Sequence, residues 1–194
     1  MSTTVSTVKR IGVLCGTCRP GTGRKYVRAA HELGEELARR GAGLIYGAGG
    51  TGMKDAMVKA VVAGGAPATG VFHREEEVSP VRGELFMVRT TQERTALIHR
   101  LSDAFVALPG GYRTLDELLE IMVRNQLCLP RKMTVLLNVD GFFDPLLAMI
   151  DRMETEAFSS PSDRIAFRAV ATPVEALDVL GLRSTGRRAE PVTV

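Results

Sequence analysis

A chain of 194 residues is long enough for one domain with a full core, and its 45% apolar and 24% charged residues are ordinary for a soluble globular protein. A net charge of +3, with basic residues in scattered pairs such as Arg39-Arg40, Arg131-Lys132 and Arg187-Arg188, excludes the electrostatic footprint of a protein that binds a nucleic-acid polymer. No apolar run approaches the ~20 residues needed to span a bilayer, Met1 to Thr7 lack the features of a signal peptide, and three cysteines make no disulfide framework, so a reducing cytoplasm is the expected compartment.

Short apolar runs predict strands at Arg10–Cys15, Gly43–Tyr46, Ala68–Phe72, Leu85–Val88, Ala104–Leu108, Thr134–Asn138 and Ala166–Val170. Helical patterns lie between and after them at Arg24–Arg40, Gly52–Ala63, Gln92–Arg100, Leu115–Leu127, Phe143–Ala157 and Pro173–Leu180. The first helix carries Tyr26, Ala29, Ala30, Leu33 and Leu37 at spacings of three and four, one apolar stripe; Phe143, Leu146, Leu147 and Ile150 repeat it in the fifth. Strands alternating with helices predict an α/β fold, a parallel sheet covered on both faces, in a single domain over 1–180. From Gly181 to Val194 the periodicity is lost, and a flexible tail is expected. Ligands of such sheets bind at the carboxyl ends of the strands.

Three glycine-bearing turns follow predicted strands. The first, Cys15 to Gly23, has Gly16 and Gly21 five apart like a P-loop, but Thr22 stands where the Lys would be. The lone Cys15-x-x-Cys18 is weak evidence for redox or metal chemistry, so Gly16, Thr17 and Arg19 read better as a ligand-contacting loop, and no metal or cofactor is expected. The second turn, Gly47-Ala48-Gly49-Gly50-Thr51-Gly52, fits G-x-G-x-x-G, with Glu75 to Glu77 downstream, but follows the second strand instead of the first. It reads as a ligand-contacting βα turn with little claim to dinucleotide binding. The third is the most informative. Pro109-Gly110-Gly111 joins an apolar strand to a helix, where backbone N–H groups and the helix N-terminus favour an anion, and Glu117 stands beside it. Thr114-x-x-Glu117 also matches a capping box, in which Glu117 would only bond back to the Thr114 backbone. In either role a carboxylate in the first helical turn is expected to stay ionised through the helix dipole. Arg94, at the start of the third helix, is either a solvated helix residue or a charge facing the same cleft.

Pro109-Gly110-Gly111-x-x-Thr114-x-x-Glu117, together with Arg94, the Tyr46-Gly47 turn and Leu137-Asn138-Val139-Asp140-Gly141-Phe142-Phe143, resembles the Lonely Guy (LOG) family, cytokinin-activating phosphoribohydrolases long misnamed lysine decarboxylases. The resemblance runs from about Ile11 to Leu180. It implies a Rossmann-like fold, a homodimer or higher homo-oligomer, and hydrolysis of the N-glycosidic bond of a nucleoside 5′-monophosphate to a free base and ribose 5-phosphate. It places Arg94 and Glu117 at the catalytic positions. Gly49, Gly50, Thr51, Gly110, Gly111 and Thr114 are then the expected phosphate and ribose contacts.

This chain also departs from the family pattern. Arg113 replaces the third Gly of P-G-G-x-G-T-x-x-E, and either adds a phosphate contact or fills the phosphate's space. Gly47 to Lys54 reads G-A-G-G-T-G-M-K where the family has G-G-G-S-V-G-L-M, and Thr91 to Thr95 reads T-Q-E-R-T where the family commonly has M-H-E-R-K. Three readings stay open: a hydrolase of AMP or N6-modified AMP, the same reaction on a pyrimidine or a biosynthetic nucleotide, and a non-catalytic nucleotide-binding protein.

Overall fold

The computed structural model describes residues 9–15, 21, 24–47, 52–73, 83–127, 130–164 and 166–182. The strands are β1 (Arg10–Leu14), β2 (Gly43–Gly47), β3 (Ala68–His73), β4 (Glu84–Val88), β5 (Ala104–Ala107), β6 (Thr134–Leu137) and β7 (Phe167–Val170). The α-helices are α1 (Arg24–Arg39), α2 (Met53–Ala63), α3 (Thr91–Leu101), α4 (Tyr112–Leu127), α5 (Asp144–Thr155) and α6 (Pro173–Val179). Single 3₁₀ turns lie at Val139–Gly141 and Pro161–Arg164.

Every strand pairs in parallel, in the order β4-β3-β2-β1-β5-β6-β7. The chain winds outward from β1 to β4, then returns to the other side of β1 as β5. Ile11 therefore sits between Leu44 and Ala104. The order reverses at β1, and a doubly wound sheet opens its ligand crevice at the carboxyl ends of such strands.

The period of two along each strand feeds two separate cores. Ile11, Val13, Leu44, Tyr46, Val106 and Val135 pack with Leu33 and Leu37 of α1, Met57 and Val61 of α2, and Leu177 of α6. Leu14, Ile45, Phe105, Ala107 and Leu136 pack with Ile98 of α3, Leu118 and Ile121 of α4, and Ile150 of α5. The expected stripes of α1 and α5 lie in or against these cores. Gly12 faces the second core, where a Cβ would come within 2.5 Å of the Phe105 ring. Helix starts follow capping chemistry: Thr90 accepts the Glu93 N–H at 3.1 Å, and Thr172 with Glu175 forms a reciprocal capping box. Among the described residues no helix is long and apolar enough to cross a membrane.

Gly181 and Leu182, which the sequence reading assigns to the tail, still belong to the packed body. Leu182 is buried, and its N–H donates to Leu177 O at 3.0 Å. Residues 183–194 lie outside the described residues. A buried guanidinium clasps this end of the chain. Arg40 donates to Glu36 at 3.1 Å, to Asp178 at 2.5 Å, and to the carbonyls of Val174, at 3.2 Å, and Leu182. Arg40→Met keeps the aliphatic stem but orphans these acceptors. It is expected to cost about 2–3 kcal/mol, because removing one side of a buried charged network leaves the other desolvated. That corresponds to a drop of about 5–10 °C in a thermal melt of a domain this size; a change within about 1 °C would show that the clasp contributes nothing to stability.

Candidate active site

The N-terminal ends of α3 and α4 lie at the carboxyl edge of the sheet, because each helix follows directly on a parallel strand. Arg94 is in the first turn of α3 and Glu117 in the second turn of α4. Arg94 is only 2% exposed, so it is not the solvated helix residue that its local sequence also allowed. Its Nη2 donates to Glu117 Oε1 at 3.2 Å, and the Glu117 side chain is 13% exposed. Arg113, with 46% of its side chain exposed, brings Nε to 3.8 Å from the same carboxylate oxygen.

The capping-box alternative for Glu117 does not hold. Helix α4 begins at Tyr112, so Thr114 is already inside it, with its N–H directed to Gly111 O at 3.0 Å. Glu117 is one turn deeper than a capping glutamate and spends its oxygen on Arg94. Burial pushes the Glu117 carboxyl above its ordinary range, although Arg94, Lys54 and Arg113 each pull it down. Desolvation outweighs the neighbouring charges, so this is a carboxylate held in a dry site at a cost.

Pro109-Gly110-Gly111 forms the join between β5 and α4. The buried Thr114 packs under Gly110, where any Cβ would collide with its hydroxyl, whereas nothing lies within 4 Å of a Cβ placed on Gly111. Gly110 is therefore required by packing, and Gly111 leaves room above the helix end for a ligand. The Thr114 side chain is fully buried beneath this turn. The N–H groups of Thr114 and Leu115 both close onto Gly111 O, at 3.0 and 3.1 Å, so α4 begins directly on the glycine turn, and helix N-termini in general favour anions. Of the remaining sequence-derived contacts, Gly49, Gly50, Thr51, Gly16, Thr17 and Arg19 lie outside the described residues, as do Cys18 and Glu75 to Glu77. The structure adds one residue that motif reading passed over. Lys54, at the start of α2, is 8% exposed and donates to Gly47 O at 3.2 Å. Its only signal in the sequence is a lysine just after a glycine-rich turn.

Fold and site together define a doubly wound α/β protein with a buried guanidinium–carboxylate pair beside a Pro-Gly-Gly turn. A family model described as possible lysine decarboxylase matches residues 53–180. The chain is 44% identical over 164 residues to the cytokinin riboside 5′-monophosphate phosphoribohydrolase LOG of rice (Oryza sativa subsp. japonica), covering 82% of this chain and 67% of that one. It is 42% identical over 170 residues to the corresponding enzyme LOG7 of Arabidopsis thaliana, covering 84% and 77% of the two chains. Among solved structures, the molybdenum cofactor binding protein of Rippkaea orientalis superimposes with a TM-score of 0.69 at 18% identity, covering 91% and 97%, a likeness of fold alone. The chain belongs to the LOG family.

Proposed function

We propose that this protein hydrolyses the N-glycosidic bond of a nucleoside 5′-monophosphate, AMP or an N6-modified AMP, to the free base and ribose 5-phosphate. The buried Arg94–Glu117 pair beside the Pro109-Gly110-Gly111 turn carries this reading, and the activity named for its relatives supports it. Water adds to C1′ of the ribose as the bond from C1′ to the base nitrogen breaks, and the base leaves with a proton. By analogy with glycoside hydrolysis, the sugar becomes cation-like on the way. Glu117 has the charge to stabilise that cation or to take the proton of the attacking water. Arg94 holds Glu117 in place and has further N–H groups for the departing base, though a guanidinium donates hydrogen bonds and not protons.

The 5′-phosphate is assigned to Gly110, Gly111 and Arg113 at the head of α4, with Gly49, Gly50 and Thr51 from the second turn. Thr114 contributes by fixing the first of these turns. Residues Gly16, Thr17 and Arg19 remain assigned to a ligand loop after β1. A homodimer is proposed as the working unit, supported by the exposed apolar row Leu119, Val123 and Leu127 along α4, and a cytoplasmic location accords with the low cysteine count.

The test is release of ribose 5-phosphate from a panel of nucleoside monophosphates. Highest turnover on adenine nucleotides supports the reading, preference for a pyrimidine changes the base, and binding without release makes the protein a scaffold. Arg113 decides between catalyst and scaffold. Its guanidinium faces Glu117 while half its side chain is open to solvent, which suits a clamp on an incoming phosphate better than a plug. Arg113→Gly is expected to raise KM about 10- to 100-fold, the equivalent of one charged hydrogen bond of ~1.5–3 kcal/mol. A gain in binding or rate would make Arg113 a block, and unchanged kinetics would put its side chain outside the cleft.

A further inference from the structure

Beside the Arg94–Glu117 pair the structure buries a third charged side chain that the hydrolysis scheme does not use. Lys54 is the second residue of α2 and follows directly on the glycine-rich turn. An ammonium is costly to bury unless it is bonded and faces negative charge. Its Nζ donates to the carbonyl of Gly47, the last residue of β2. The same glycine faces Glu117: a Cβ built on Gly47 would lie 4.0 Å from Glu117 Oε1. Ammonium and carboxylate thus flank one residue of the backbone, one from α2 and the other from α4. At this position the LOG pattern has a methionine, which supplies neither the bond nor the charge.

We propose that Lys54 is a positioning residue of this site, tying the start of α2 to the last residue of β2 and supplying, with Arg94 and Arg113, the positive charge against which the Glu117 carboxylate is held. The charged groups facing Glu117 are Lys54 from α2, Arg94 from α3, and Arg113 and Asp116 from its own helix. Burial, which favours the protonated acid, is opposed first by Arg94 and then by Lys54. Loss of the ammonium leaves burial less opposed, so Glu117 takes up its proton at a higher pH. Gln at this position keeps a donor for Gly47 without the charge. Arg keeps both.

The kinetic arm of the test rests on the proposed hydrolysis; the titration arm does not. The Glu117 carboxyl is titrated by carbon-13 NMR in the full chain, with its resonance assigned by its loss in Glu117→Gln, for the parent, Lys54→Gln and Lys54→Arg. The same proteins are assayed for kcat/KM on AMP against pH. Expected is a midpoint raised in Lys54→Gln and close to the parent in Lys54→Arg. The acid limb of kcat/KM should follow, so that on the acid side Lys54→Gln loses about threefold more of its rate than the parent does. Lys54→Met serves as a second uncharged variant if the Gln protein folds poorly. An unmoved midpoint in the uncharged variants overturns the proposal whatever the activity. Equal movement in the Gln and Arg variants overturns it as well, because packing and not charge would then be at work. Failure of the parent to release ribose 5-phosphate overturns the hydrolase reading alone, and the titration still judges Lys54.

Discussion

Glu117→Gln is expected to lower turnover on the order of 10³-fold, the scale seen when a charge that stabilises a transition state is removed from a dry site. It is also expected to leave the fold at least as stable at neutral pH. Because the folded-state pKa of Glu117 is raised above its ordinary value, the native state holds this proton more tightly than the unfolded chain. Stability contributed by the group is therefore fully present at pH below the unfolded value and is lost as pH rises through the folded one. At neutral pH the ionised carboxylate is a net burden, and the isosteric neutral amide relieves it while keeping an oxygen for Arg94. The expected pattern is an inactive protein with an equal or higher melting temperature, a trade of stability for function. Activity within a few-fold of the parent removes Glu117 from the chemistry. A large loss of stability would mean that its role is the ion pair alone. In the parent, the acid limb of the pH profile should lie above the ordinary carboxylate range and fall as Glu117 is protonated.

Removing the 5′-phosphate from the substrate is the second large effect. The head of α4 offers a helix N-terminus, open space above Gly111, and the guanidinium of Arg113. A phosphate held there is remote from the bond being broken, so its binding energy is available to fix the sugar against Glu117. A nucleoside forfeits at least two charge-assisted hydrogen bonds, each ~1.5–3 kcal/mol, and should be cleaved about 10²- to 10⁴-fold less efficiently in kcat/KM than its monophosphate. Comparing AMP with adenosine by base release measures this directly. Equal efficiency would contradict the anion-turn reading of Pro109-Gly110-Gly111.

The order and type of strands and helices were legible because apolar runs and helical stripes are local patterns, and the buried strands and stripes fall where those patterns predict. What misled was also local. Thr114-Leu115-Asp116-Glu117 spells a capping box, yet Tyr112 and Arg113 already continue the helix back to the glycines, which shifts Glu117 one turn inward. The direction in which the site moves the Glu117 pKa is not legible from the segment either. The helix dipole can be read from a segment, but burial under α3 and the sheet cannot. Arg94 looked like any charged residue on a helix surface until the fold set it opposite a residue from another element. Lys54 carried even less signal, since its partner is a backbone carbonyl and its effect is felt through Gly47.

The placement of β1 between β2 and β5 also governs when the site can exist. During synthesis β1 finds one neighbour, β2, within some 30 residues, but its other neighbour, β5, only about 90 residues later. Arg94 and Glu117 follow on β4 and β5, so neither can be set in place until the chain has doubled back across the first strand. A nascent chain or a truncated fragment that stops before α4 therefore has β1 to β5 and Arg94 but lacks Glu117 and with it the ion pair. The charged residues needing burial arrive after a sheet edge is ready to receive them, which ties the appearance of activity to completion of the sheet and makes the ion pair a late reporter of a finished fold.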